Sequence, residues 1–146
     1  MARLAAAVII AFAVAAPVQA PARTVDTFCT ELRRIVRAIH ERPPFASLST
    51  TPAALPGFGG GCELFNDRHG LRVHCTMTAA DPRHFQRLAA HTARCLPDAT
   101  RTADRSDPFV VGFSAGNALI LIRQHSLPGD SRGINLSYTV QPFALR

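Results

Sequence analysis

Residues 109–123 read "FVVGFSAGNALILIR". At the centre, Gly112-Phe113-Ser114-Ala115-Gly116 fits the pattern G-x-S-x-G, and the chain beyond it must become either a helix or a second strand. That choice decides the fold. A helix after Ser114 would make the first half a strand of a parallel sheet, because parallel neighbours need a crossover. A strand after it makes the same letters a hairpin of an antiparallel sheet. Ile120 and Ile122 are β-branched and alternate, and at helical spacing "ALILIRQH" would be apolar nearly all round its first two turns. Ser114-Ala115-Gly116-Asn117 supplies a turn, since Gly and Asn tolerate the positive φ that tight hairpins need. The stretch therefore predicts two strands, Phe109–Phe113 and Ala118–His125.

"VVGFSAGNALILI" also resembles the strand–elbow–helix of α/β-hydrolases and patatin-like lipases, over five motif residues and the apolar strand before them. That resemblance implies Ser114 as a nucleophile, with Gly112 and Gly116 permitting the strained turn; His125 is a candidate partner only in a hydrolase that departs from the family order. The rest of the chain departs from it. The α/β-hydrolase order places an acid and then a histidine after the serine, whereas here only Asp130 follows and His125 precedes it. A parallel sheet with crossovers also needs a longer chain. A small serine hydrolase using Ser114 stands as the alternative to a non-enzymatic protein.

The amino-terminal end reads "MARLAAAVIIAFAVAAPVQAPARTVD". Arg3 precedes an apolar run from Leu4 to Ala16, Pro17 breaks it, and Ala20-Pro21-Ala22 offers an A-x-A cleavage site. This is the layout of a secretory signal peptide over residues 1–22, and the run is shorter than a membrane span. The expectation is a periplasmic or secreted protein with no transmembrane segment after cleavage. Residues 23–146 then form one domain with a single core.

The 16 basic side chains other than histidine are all arginine, and the net charge is +6. An all-arginine chain rich in Ala and Pro matches the codon bias of a high-GC bacterial genome, which weakens any inference from charge to nucleic acid. The arginines are scattered, and a chain with one tyrosine and no tryptophan lacks the aromatic faces on which bases stack. No nucleic-acid partner is expected.

Outward from the central hairpin, "VDTFCTELRRIVRAIHE" (25–41) sets Val25, Phe28, Cys29, Leu32, Ile35, Val36 and Ile39 on one helical stripe, with Thr24 as a cap and Pro43-Pro44 as the stop. Residues 42–61 carry Pro and Gly without a period and read as a long loop, with Phe45, Leu48 and Phe58 available to pin it. "CELFNDRHGLRVHCTM" predicts strands Cys62–Asn66 and Leu71–Met77 around a turn at 67–70. Asp81-Pro82 opens a second helix bearing Phe85, Leu88, Ala89, Thr92, Cys95 and Leu96 on one stripe. A polar connector follows, and Gly133–Val140 alternates as a last strand. The predicted fold is α+β: a five-stranded antiparallel sheet, order α-β-β-α-β-β-β, with two helices on one face.

Four cysteines behind an export signal imply two disulfides. The turn at 67–70 sets Cys62 opposite Cys75, and antiparallel helices bring Cys29 and Cys95 together. That gives Cys29–Cys95 with Cys62–Cys75, the competing pattern being Cys29–Cys62 with Cys75–Cys95. Cys62, His69, His74 and Cys75 resemble a metal set by type, but His74 and Cys75 are consecutive in a strand and point to opposite faces. His84 and His91 lie two helical turns apart, too far to share an ion, and read as solvated side chains. No metal or cofactor is expected. With no base, nucleophile and stabiliser converging, the sequence favours a binding or accessory protein of the cell envelope. Its protein or small-molecule partner would dock on the open sheet face or on loop 42–61.

Overall fold

The computed structural model describes residues 26–143, apart from 60, 69, 82, 104–106 and 127–132. The expected signal peptide and the Thr24 cap lie outside the described residues. The elements are α1 (Thr27–Ala38), α2 (Ala46–Thr50), β1 (Cys62–Asp67), β2 (Gly70–Ala79), α3 (His84–Cys95), β3 (Thr100–Ala103), β4 (Val110–Ala115), β5 (Ala118–Ser126) and β6 (Ile134–Pro142). The fold is α+β with an antiparallel sheet and two disulfides. Among the described residues it has six strands where the sequence predicts five, and the order α-α-β-β-α-β-β-β-β replaces α-β-β-α-β-β-β.

Both additions have a physical reason. β3 is "TRTA", four residues with no apolar alternation, lying at the sheet edge against β4 alone. Short polar edge strands resist pairing with other chains and leave little hydrophobic signal. α2 is a five-residue helix, too short to show a period. Glu41 sets it in place by accepting hydrogen bonds from the Ser47 N–H (2.7 Å) and Ser47 hydroxyl (2.6 Å).

The strands lie in the order β1-β2-β6-β5-β4-β3. The last strand, β6, enters between the first hairpin and the meander and joins them, pairing with β2 and β5. Alternation along each strand then sorts the side chains. Val73, Cys75, Val111, Phe113, Ile120, Ile122, Leu136, Tyr138 and Val140 are buried in one core with Phe28, Leu32 and Ile35 of α1 and Phe85, Leu88 and Ala89 of α3. The helical stripes are buried as their spacing requires.

Asp26 caps α1 by accepting from the Cys29 N–H at 3.1 Å. α3 begins at His84, with Asp81 accepting from the Arg83 N–H at 2.8 Å in the turn before it. Segment 42–61 is not a bare loop: Phe45, Leu48, Ala53, Leu55 and Phe58 are all buried in the core. Arg34 fastens it to α1, donating to the carbonyls of Thr51 and Pro52 while holding Glu31 in a two-point ion pair. Glu31 also accepts from the Ala54 N–H, and the Arg34 guanidinium first, with that amide, holds its carboxyl below the usual range.

The buried polar centre is Tyr138, whose hydroxyl shares a 3.0 Å hydrogen bond with Thr92 of α3. Burial drives the phenol pKa far up. Phe28 and Phe58 approach its ring edge-on, at centroid distances of 6.1 and 5.8 Å. Tyr138→Phe strands the Thr92 hydroxyl and is expected to lower unfolding free energy by about 1–2 kcal/mol, whereas adding Thr92→Val recovers most of the loss. Urea unfolding of the double-mutant cycle checks this, and additive losses would contradict it.

Candidate functional site

The helices cover one face of the sheet, so chemistry on the other is open to solvent. On that face the register sets His74 beside Thr139, Thr139 beside Leu121, and Arg123 beside Ser137. His74 Nδ1 shares a 3.0 Å hydrogen bond with the Thr139 hydroxyl, and His125 Nε2 a 2.9 Å bond with the Ser137 hydroxyl. Two adjoining cavities meet at His74, His125 and Ser137. One, of about 710 Å³, runs to Thr76, Thr78, Asn135 and the chain at Gly57 and Gly59. The other, of about 740 Å³, runs to Phe65, Arg68, Arg72, Arg123 and Gln141.

Among the described residues, no carboxylate lines either cavity. Asp67 at the rim binds Arg72 through both oxygens at 2.7 Å, and the Arg72 guanidinium lies 5.4 Å from the Phe65 ring centroid. Glu63 stands opposite His74 on the outermost strand. Arg123 is exposed, and no carboxylate among the described residues pairs with it. Burial, then the charges of Arg72 and His125, hold the His74 imidazole below its ordinary pKa, against a smaller pull from Glu63. An anion placed above His74 would offset these positive charges and favour its protonated form.

Ser114 lies in β4, opposite Thr100 on one side and Leu119 on the other. The chain turns at Gly116-Asn117 and returns as β5, with Ala115 paired to Ala118. The turn is thus two residues, tighter than the four expected. The glycines of the motif have separate roles. Gly116 takes φ +58 in the turn, and a Cβ on Gly112 would sit 2.6 Å from the Thr102 hydroxyl of β3. His125 lies six positions along β5 from the residue opposite Ser114, a distance of roughly 20 Å. The structure does not bring Ser114 and His125 together. The serine beside His125 is Ser137, on a strand paired along both edges, so its backbone N–H groups are committed to the ladder and offer no oxyanion hole.

The cysteines join Cys29 to Cys95 and Cys62 to Cys75. Cys75 points into the core and His74 to the open face, and His69 lies outside the described residues. A second cluster escaped the sequence reading. His91 does not stand free in solvent: its Nε2 lies 2.6 Å from the Asp26 carboxylate and 3.9 Å from Cys29 Sγ, and its ring stacks on Phe28 at 4.6 Å. The His91 contact first, then the Cys29 amide, lowers the Asp26 pKa. Their positions, 65 residues apart, hold no local signal; only the partnership of Cys29 with Cys95 could have drawn attention to His91, one turn before Cys95.

No family model matches the chain, and neither a curated protein nor a solved structure matches it.

Proposed function

We propose that this protein is a non-enzymatic binding protein of the cell envelope, which captures a small anionic ligand bearing carboxylate or phosphate groups on the helix-free face of its sheet. The observation that carries the proposal is a pair of joined cavities lined by arginine, histidine and hydroxyl groups, with no carboxylate among the described residues. Arg123 supplies a charge that no carboxylate among the described residues neutralises, Ser137 and Thr139 supply hydroxyls, and His74 adds charge as it protonates. The two disulfides are compatible with an oxidising compartment. The rigid ladder beneath the groove suits recognition, and the absence of a free oxyanion-type donor pair beside Ser137 speaks against acyl transfer.

Calorimetric titration with citrate and with inorganic phosphate tests this. Arg123→Ala is expected to weaken binding by about tenfold or more, the scale of one charge-assisted hydrogen bond. The pH dependence has a defined sign. Because the free protein holds the His74 imidazole below its ordinary pKa, a bound anion raises that pKa and binding takes up a proton, so affinity for sulfate, whose charge is constant over this range, increases as pH falls through the imidazole range. In the unliganded protein the same depressed pKa makes His74 a source of stability at neutral pH that is lost as pH drops through the ordinary imidazole range. Binding of neither anion, or affinity indifferent to Arg123→Ala, would overturn the proposal. So would covalent labelling of Ser114 by a fluorophosphonate, which would favour the hydrolase alternative.

A further inference from the structure

The carboxyl-terminal turn of α3 and the amino-terminal turn of α1 bring together four side chains of metal-binding type. Asp26 and Cys29 are three residues apart across the start of α1; His91 and Cys95 are four apart on α3, hence on one face. The Asp26 carboxylate, Cys29 Sγ, His91 nitrogen and Cys95 Sγ all lie within 4.8 Å of one another. Two sulfurs, one imidazole and one carboxylate are a donor set that zinc accepts in tetrahedral geometry.

The surroundings already orient these donors. Asp26 Oδ1 is held by the Cys29 N–H, which leaves Oδ2 facing His91. Phe28 stacks on the imidazole and fixes its plane. The sulfurs are shielded, with Cys29 8% and Cys95 0% exposed. A cavity of about 400 Å³ lined by Asp26, Phe28 and His91 opens beside them and provides access. Tetrahedral zinc asks for sulfurs about 3.8 Å apart. With Cα atoms 4.9 Å apart, rotation of the cysteine side chains reaches that separation without moving the helices far.

We propose that the reduced protein binds one zinc ion through Asp26, Cys29, His91 and Cys95, so that α1 and α3 are joined either by a disulfide or by a metal ion according to redox state. The chemistry balances. An external dithiol gives two electrons and two protons to Cys29–Cys95 and itself becomes a disulfide. Zinc then displaces the two thiol protons and binds both thiolates, the neutral imidazole and the carboxylate. In the reverse direction a disulfide oxidant takes two electrons from the thiolates and two protons from water, leaves as two thiols, and the ion is released as Cys29–Cys95 closes.

The test uses the whole protein, oxidised or reduced with a phosphine, titrated with zinc against a chromophoric chelator. The reduced protein is expected to bind one equivalent and the oxidised protein none at this site. Cobalt in place of zinc should show sulfur-to-metal charge transfer and the visible bands of a tetrahedral centre. His91→Ala and Asp26→Ala should weaken zinc binding by at least the ~10–100-fold that loss of even an outer-sphere partner costs. Cys62→Ser/Cys75→Ser should leave it intact. If reduction unfolds the chain, zinc should restore the helical circular-dichroism signal in the parent protein and not in His91→Ala. Failure to bind or to restore, equal binding by the oxidised protein, or a cobalt spectrum unchanged by His91→Ala would each overturn the proposal.

Discussion

Replacing Cys29 and Cys95 together by alanine lowers the unfolding free energy by about 4 kcal/mol, and replacing Cys62 and Cys75 lowers it by about 3 kcal/mol, on chain-entropy grounds. The difference follows from sequence separations of 66 and 13. Cys29–Cys95 closes most of the described chain into one loop and ties the start of α1 to the end of α3, whereas Cys62–Cys75 staples two strands already paired in the ladder. Small domains have about 5–15 kcal/mol in total, so the longer bridge is a large share of the whole. Urea unfolding of both double variants under identical conditions reads this out. The Cys62/Cys75 variant emerging as the less stable would contradict it.

Phe45→Ala carries the second large effect, a loss of about 3–5 kcal/mol for emptying an aromatic site in the core. Phe45 is 0% exposed and sits at φ 61, in the left-handed region that bulky side chains avoid. Its N–H donates to the Ala38 carbonyl at 2.7 Å, which folds segment 42–61 back against the end of α1. The ring is kept because its burial outweighs a backbone cost of about 1–2 kcal/mol. That balance has a discriminating consequence. Phe45→Gly loses the same ring but relieves the backbone, so it should be more stable than Phe45→Ala by about 1 kcal/mol. Thermal and urea unfolding of the three proteins should rank them parent, glycine, alanine. Alanine above glycine would show that the left-handed conformation contributes nothing.

Wherever side-chain periodicity coincides with burial, the sequence was legible. The alternation of Ile134, Leu136, Tyr138 and Val140, and the stripe Phe28, Leu32, Ile35, each match one buried face. Fixing the turn at 67–70 was enough to set Cys62 opposite Cys75, the register that the strands adopt. β3 was hidden because an edge strand of Thr and Arg has no face to bury, and α2 because five residues complete little more than one turn. The polar groove was half visible. Alternation placed His74 on the open side, but its meeting with Thr139, and that of His125 with Ser137, depends on β6 crossing to lie between β2 and β5. Long-range strand order of this kind leaves no imprint on local pattern. The Asp26–His91 contact is non-local in the same way. Its two members belong to helices whose relative placement is fixed by a shared core and by the Cys29–Cys95 bridge.

The G-x-S-x-G letters illustrate the limit from the other side. Gly112 is required by the approach of Thr102, Gly116 by the positive φ of the turn, and Ser114 by neither. Five letters of a catalytic pattern arise here from two unrelated backbone demands.

An amide NMR titration with citrate locates the bound anion on the fold. Binding on the helix-free face predicts shifts concentrated at Arg72–Thr76 of β2, Leu121–His125 of β5 and Ser137–Gln141 of β6, with α1 and α3 unmoved. Shifts confined to the helical layer, or none at saturating citrate, would contradict it.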